Sequence, residues 1–258
     1  MVKCVNSIVL STFLHRAAQQ KSASVALLVD PSSQVEEGLS CLAKGVEEGW
    51  VDAVFYGGSL RTHSEEESQW NTLRQKIQAP IFAFPSNALQ VHPSADGLLH
   101  LSLVSGRNPD YLIGRHVEAA VYLDELGIDI VPTAYLLIDG GKVSTTAYIT
   151  NTTPIPSDKV DIAYATALAG VQLGMKAIYL EAGSGADNVV PVNMVKTLSS
   201  KLDVPIIVGG GIRSAEQMRA LSDAGADVLV IGNAFEENPF QVMADLRTFK
   251  CAVEVRKV

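Results

Sequence analysis

An apolar run, Ala177 to Leu180, ends on Glu181 and passes into Ala182, Gly183, Ser184 and Gly185. A carboxylate there can be held by the backbone N–H groups of the turn behind it. It can instead be a base beside whatever ligand the small residues admit. Two further apolar runs end similarly, at Gly209, Gly210 and Gly211 and at Gly232 and Asn233, and each leads straight into a helix-like segment. Glycine lets backbone N–H groups approach a ligand closely, and a helix N-terminus adds a field that favours phosphate. Plain strand-to-helix turns also use glycine, but two such loops side by side favour a phosphate grip.

Asp30 closes an earlier apolar run, and Ser59 follows Gly57 and Gly58 after the next one. Asp30 suits Mg²⁺ or general-base work, with Ser59 offering an oxygen to the same ion, because Mg²⁺ takes few protein ligands and completes its shell with water and substrate phosphate. The competing reading makes Asp30 the N-cap of the helix that follows. Other chemistries drop out. No lysine stands at the end of a strand-like run, which disfavours a Schiff-base aldolase. The five histidines show no HxH or HxxxH spacing for zinc, and His100 sits inside an apolar run as a core or wall residue. No GxSxG elbow is present.

The elements that must position these residues are short and regular. Strand-like runs occur at 25–30, 52–58, 80–85, 97–105, 127–141, 176–183, 204–211 and 226–233, mostly apolar throughout, as strands buried on both faces read. Helical spacing lies between many of them, at 35–48, 66–77, 158–173, 191–201 and 214–224, with Ser214 as an N-cap. The pattern predicts an α/β fold, a single (β/α)₈ barrel over about 24–249, preceded by an N-terminal helix over about 6–20. A doubly wound open sheet is the rival, but no GxGxxG follows the first strand. The connection between Pro85 and Gly97 is too short and broken for a full helix, so the third helix is expected to be missing or replaced by an extended segment. After the fifth strand, Gly140–Gly141 and the composition of 143–150 predict a small hairpin on the active-site face.

With 258 residues, 47% hydrophobic and 19% charged, the chain has ample material for one core. A net charge of −8 leaves no basic footprint for nucleic acid. Three scattered cysteines suit free thiols in a reducing compartment, and hence a cytoplasmic protein. The first segment reads as a helix rather than a signal peptide, and no apolar span is long enough to cross a membrane.

The strings "YLEAGSGA" (179–186), "PIIVGGGIRS" (205–214) and "GADVLVIGN" (225–233) resemble the geranylgeranylglyceryl phosphate synthase family, which includes the heptaprenylglyceryl phosphate synthases. "LLVDP", "FYGGS", "APIFAFPSN", "SLVSGRNPDYLIG" and "VPTAYLLIDGGKV" follow the family's order, so the likeness spans roughly residues 20 to 245. It implies a barrel lacking its third helix and a Mg²⁺-dependent transfer of a prenyl group from geranylgeranyl diphosphate to the C3 hydroxyl of sn-glycerol 1-phosphate. A heptaprenyl donor is the alternative. By the same resemblance, Asp30 and Ser59 correspond to the metal positions. Tyr179, Leu180, Glu181, Ala182, Gly183, Ser184 and Gly185, with Gly210, Gly211, Gly232 and Asn233, correspond to the glycerol phosphate site. Glu181 matches the base, with Tyr179 beside it. A homo-oligomer, dimer or hexamer, is also implied, as is transient contact with a membrane surface. The family usually follows its aspartate with Pro-Asp-Lys, whereas this chain has Asp30-Pro31-Ser32-Ser33; Arg61 and Arg107 are the basic residues available to compensate. Other enzymes with the same grip, isomerases, epimerases or flavin-dependent barrels, stay open, as does a barrel that only binds a phosphorylated ligand.

Overall fold

The computed structural model describes residues 9–30, 36–58, 66–85 and 91–255. Eight parallel strands close into a barrel in sequence order, with the last pairing back onto the first. They are β1 (Ser24–Val29), β2 (Ala53–Tyr56), β3 (Ile81–Ala83), β4 (Leu98–Leu103), β5 (Ile130–Leu137), β6 (Ala177–Glu181), β7 (Ile206–Gly209) and β8 (Val228–Ile231). The expected barrel is therefore the observed one. Because side chains alternate along a strand, each strand feeds two cores. Ala177 and Tyr179 of β6 point inward with Ile207, Val228 and Val230, while Ile178 and Leu180 pack outward beneath the helices. Glu181 continues the inward set.

Helix α1 (Leu10–Ala18) occupies the span expected for the N-terminal helix and presents Leu10, Phe13, Leu14 and Ala17 to the inner core. α2 (Glu36–Glu47) and α3 (Glu66–Lys76) cover the first strands. Between β3 and β4 the described residues contain no helix. Here Val91 and Ala95 are buried, Trp70 stacks on His92 with centroids 4.5 Å apart, and the Trp70 indole N–H donates to Ser94 at 2.8 Å. β3 meets β4 through one residue pair, Ala83 and Leu98.

Two stretches depart from the sequence reading. The segment between β4 and β5, for which the pattern names no helix, forms a wide turn at Asp110–Gly114 and then α4 (Arg115–Leu126). Its outer face carries Ile113, Val117 and Val121, which hides the usual apolar-in, polar-out signal. The hairpin expected at 143–150 is instead a helix, α5 (Thr145–Thr150). Ser144 caps it by accepting the Ala147 N–H at 3.1 Å, and Asn151 ends it in the left-handed region at φ 52°. Cap, stop and the burial of Ala147 and Thr150 override the strand-like composition. Ser144→Ala should lower stability by about 1 kcal/mol in chemical denaturation, since the buried Ala147 N–H then loses its acceptor.

The remaining helices, α6 (Val160–Gln172), α7 (Val192–Ser199), α8 (Ala215–Asp223), α9 (Asn233–Glu237) and α10 (Pro239–Val255), complete the outer layer. Ser214 caps α8 as expected, accepting the Gln217 N–H at 3.2 Å. Among the described residues no helix is long and apolar enough to cross a membrane.

Candidate functional site

The inward residues at the C-terminal ends of the strands converge on one cleft. Asp30, Tyr179, Glu181, Ser184, Gly185, Gly210, Gly211, Gly232 and Asn233 all line it. Leu180, Ala182 and Gly183, grouped with them in the sequence reading, do not: alternation sends the first two outward into the shell beneath the helices, and Gly183 instead holds Glu181 by its N–H. Ser59 and Arg61 lie outside the described residues. Arg107 lines neither this cleft nor the cavity beside it, and donates instead to the Gly106 carbonyl at 2.7 Å. Arg213, which the sequence reading passed over, borders the cleft and ties two of its loops by donating to the Ala186 carbonyl at 2.7 Å.

Glu181 is buried, with 8% of its surface exposed, and sits in register with Leu137 on β5 and Gly209 on β7. Gly209 is where a side chain would collide with it: a Cβ there would lie 2.9 Å from Oε2. Gly183 N–H donates to Oε1 at 2.7 Å. Burial pushes the carboxyl up from its ordinary 4.5 to about 7, against the opposing pull of the Gly183 N–H and the Tyr179 hydroxyl. The fully buried Tyr179 hydroxyl faces this carboxylate but falls short of an aligned hydrogen bond. Burial and the carboxylate push both Tyr179 and Tyr135 well above the usual phenol range, so both stay protonated. Backbone capture and base chemistry are thus compatible in Glu181: one oxygen is anchored and the group is poised near neutrality.

The glycine loops adopt conformations that other residues resist. Gly183, Gly185, Gly210 and Gly211 have φ of 106°, 64°, 84° and 71°. Asn233 Oδ1 accepts both the Ser184 hydroxyl and the Gly185 N–H at 2.8 Å, so the loops after β6 and β8 are already joined. The Ser184 hydroxyl and the Gly185 N–H, aimed at one oxygen, are donors of the kind an anion site uses.

Asp30 lies on the opposite wall, its carboxylate packed against Gly58 so closely that a Cβ there would overlap it. α2 is described from Glu36 on, and residues 31–35, through which Asp30 would cap it, lie outside the described residues. Among the described residues no three His, Cys, Asp or Glu side chains gather as a metal cage. Asp30 shares the cleft with Glu181 and Glu236, and carboxylate chemistry of this kind fits Mg²⁺, which keeps waters and takes few protein oxygens.

A second cavity opens from the first beside the β3–β4 connection, where the described residues hold no helix. Leu98, Leu99, Leu101 and Leu103 line it with Tyr111 of the wide turn and Ile149 of α5. His100 and His116 meet edge to face at 4.1 Å in its wall. Burial, helped by His116, lowers His100 to about 4, and burial lowers His116 as well. The imidazole wall is neutral at neutral pH. Phe84, Tyr135 and Thr146, missed in the sequence, border both cavities with Gly58. Strand parity was the available signal for Tyr135, which pairs in register with Tyr179.

The PcrB family matches residues 18–252. The geranylgeranylglyceryl phosphate synthase of Chitinophaga pinensis is 44% identical over 230 residues, covering 88% of this chain and 90% of the relative. That of Korarchaeum cryptofilum is 37% identical over 239 residues, covering 93% and 98%. Among solved structures, the (S)-3-O-geranylgeranylglyceryl phosphate synthase from Thermoplasma acidophilum, in complex with its substrate sn-glycerol-1-phosphate, superposes with a TM-score of 0.85 at 30% identity. That likeness covers 94% of this chain and 97% of the other. The YdjI aldolase from Escherichia coli K12, at 17% identity and a TM-score of 0.53, shares the barrel fold alone. With relatives this similar along almost its whole length, the chain belongs to the PcrB family, the family of the geranylgeranylglyceryl phosphate synthases.

Proposed function

We propose that this protein is a prenyltransferase that joins the C3 hydroxyl of sn-glycerol 1-phosphate to geranylgeranyl diphosphate and releases diphosphate. The observation that carries this reading is the junction of two unlike cavities, an anion grip holding a poised carboxylate and an apolar trough opening directly from it. A phosphosugar isomerase would need only the first.

The acceptor's phosphate lies against the loops at Ser184–Gly185, Gly210–Gly211 and Gly232–Asn233. Its arrival replaces Asn233 Oδ1 as the partner of Ser184 and Gly185. The glycerol hydroxyl then reaches Glu181, where the unaligned Tyr179 hydroxyl can complete a hydrogen bond that the protein alone leaves unmade. Glu181 takes the hydroxyl proton as the new C–O bond forms, a task suited to a base titrating near 7. Holding both reactants across one junction supplies the orientation a bimolecular reaction lacks. The prenyl tail occupies the leucine-lined trough, where the neutral His100–His116 pair presents no charge to it. Asp30, with Ser59 as the expected second contact, would hold Mg²⁺, which when bound would supply charge neutralisation for the diphosphate leaving group.

The test is transfer of a radiolabelled prenyl group to glycerol 1-phosphate in the presence and absence of Mg²⁺, with C15 to C35 donors. Product is expected with Mg²⁺ and best with the C20 donor. A preference for C35 would change the donor, and no product with any donor would remove the reading.

A further inference from the structure

Side chains of two other loops hold the loop after β6. Asn233 Oδ1 accepts the Ser184 hydroxyl and the Gly185 N–H, each at 2.8 Å. One residue on, the Arg213 guanidinium donates to the Ala186 carbonyl at 2.7 Å. Arg213 lies between the glycines after β7 and the start of α8, just past the buried Ile212. Its main-chain N–H is already given to Gln217 Oε1 at 2.8 Å, so what it offers the site is its side chain. Farther along the loop, the Asp187 and Asn188 N–H groups both donate to the Gly140 carbonyl at 3.0 Å, which anchors the back of the loop. Among the described residues that line the cleft, Arg213 is also the one cation, alongside the carboxylates of Asp30, Glu181 and Glu236.

The two side-chain ties have opposite fates when the acceptor's phosphate arrives. Ser184 and Gly185 exchange Asn233 for phosphate oxygens, which releases the loop after β6 from the loop after β8. Phosphate oxygens and a carbonyl are both acceptors, so the ligand has no use for the Ala186 carbonyl and the Arg213 bond survives. Among the described residues it is then the side-chain hydrogen bond that still joins Ser184–Ala186 to another loop. We propose that Arg213 is a positioning residue for the acceptor, holding the Ser184 and Gly185 donors on the phosphate once Asn233 has let go. This rests on the prenyl-transfer reading above for the identity of the acceptor. A guanidinium suits the task because it is charged at every working pH, so its bond to a neutral carbonyl is charge-assisted. Its charge also favours a phosphorylated acceptor in a cleft that is otherwise acidic.

The experiment compares wild type with Arg213→Ala, Arg213→Lys and Lys196→Ala, the last removing an exposed cation from α7. Melting temperature is measured with and without glycerol 1-phosphate, and KM and kcat with geranylgeranyl diphosphate as donor. Empty Arg213→Ala should melt within about 2 °C of wild type, because Asn233 still joins the loops. The rise in melting temperature given by glycerol 1-phosphate should shrink, and acceptor KM should rise about tenfold. kcat at saturating acceptor should stay within about twofold, since the tie serves binding rather than the reacting atoms. Arg213→Lys, still a charged donor, should recover most of the affinity, and Lys196→Ala should match the wild type throughout. An unchanged acceptor KM in Arg213→Ala, or an equal rise in Lys196→Ala, would overturn the role. So would a fall in kcat in an empty protein that melts early, which would make Arg213 a structural brace alone. A wild type that gains stability from glycerol 1-phosphate but forms no ether product with any donor would remove the prenyl-transfer reading, and the melting shifts would still decide this role.

Discussion

Glu181→Gln should reduce kcat by about 10²- to 10⁴-fold while making the protein more stable at pH 8. The two effects have one cause. Burial holds the folded carboxyl at about 7, against 4.5 when it is exposed. Below pH 4.5 both folded and unfolded chains carry the proton, and the group adds no pH dependence. Between 4.5 and 7 the unfolded chain releases its proton while the folded chain keeps it, so stability falls as pH rises. Above 7 the folded group ionises too, and the cost levels off at about 3 kcal/mol. The glutamine side chain is never charged and still offers an oxygen to the Gly183 N–H, which donates to Oε1 at 2.7 Å. Melting temperatures of the two proteins should converge toward pH 4.5, diverge between 4.5 and about 7 and stay apart above it, with the variant higher. The wild-type rate should rise with pH through about 7. Since the acceptor's phosphate also titrates near 6, the base is identified by the limb that disappears in Glu181→Gln. Full activity in that variant would end the base assignment.

Why such a site could be read so far from sequence, and no further, follows from where its information lies. Alternation along a strand is local, so Tyr179 and Glu181 announce their shared inward face within "AIYLE". The glycines at 183, 185, 210 and 211 are legible because the backbone there requires positive φ. Leu180 and Ala182 sit inside the same string, yet their parity turns them away from the ligand. A motif names a segment; the pleat chooses among its members. The trough is another matter. It draws on β4, the wide turn at Asp110–Gly114 and α5, and no periodicity links residues so far apart. Two of those pieces also mislead locally. α5 is built from threonine, tyrosine and isoleucine, which prefer strands, and is held helical by Ser144 and Asn151 at its ends. α4 exposes Val117 and Val121 at 69% and 72%, so its apolar residues mark the wrong face. The cleft lies in turns that glycine spells out, and the trough lies in packing.

Gly210→Ala should raise the KM for glycerol 1-phosphate by at least about 100-fold. Gly210 has φ 84°, and a Cβ built there would stand 2.5 Å from Glu181 Oε1 and 2.8 Å from the backbone nitrogens of Ala182 and Gly183. The oxygen it meets is already bonded to Gly183 N–H, and the two nitrogens are main chain, so no flexible side chain can step aside. The loop must move, and with it both the anchored carboxylate and the phosphate donors on either side. Strain alone would not do this. Gly174 has φ 97° in the turn before β6, but a Cβ there meets nothing within 4 Å. Gly174→Ala should therefore show only the left-handed backbone penalty, about 1 kcal/mol of stability, with acceptor KM unchanged. The pair separates backbone cost from collision. If Gly210→Ala instead binds glycerol 1-phosphate as tightly as the wild type, the loop after β7 is not part of the grip. The phosphate would then have to be held by Ser184, Gly185 and Asn233 alone.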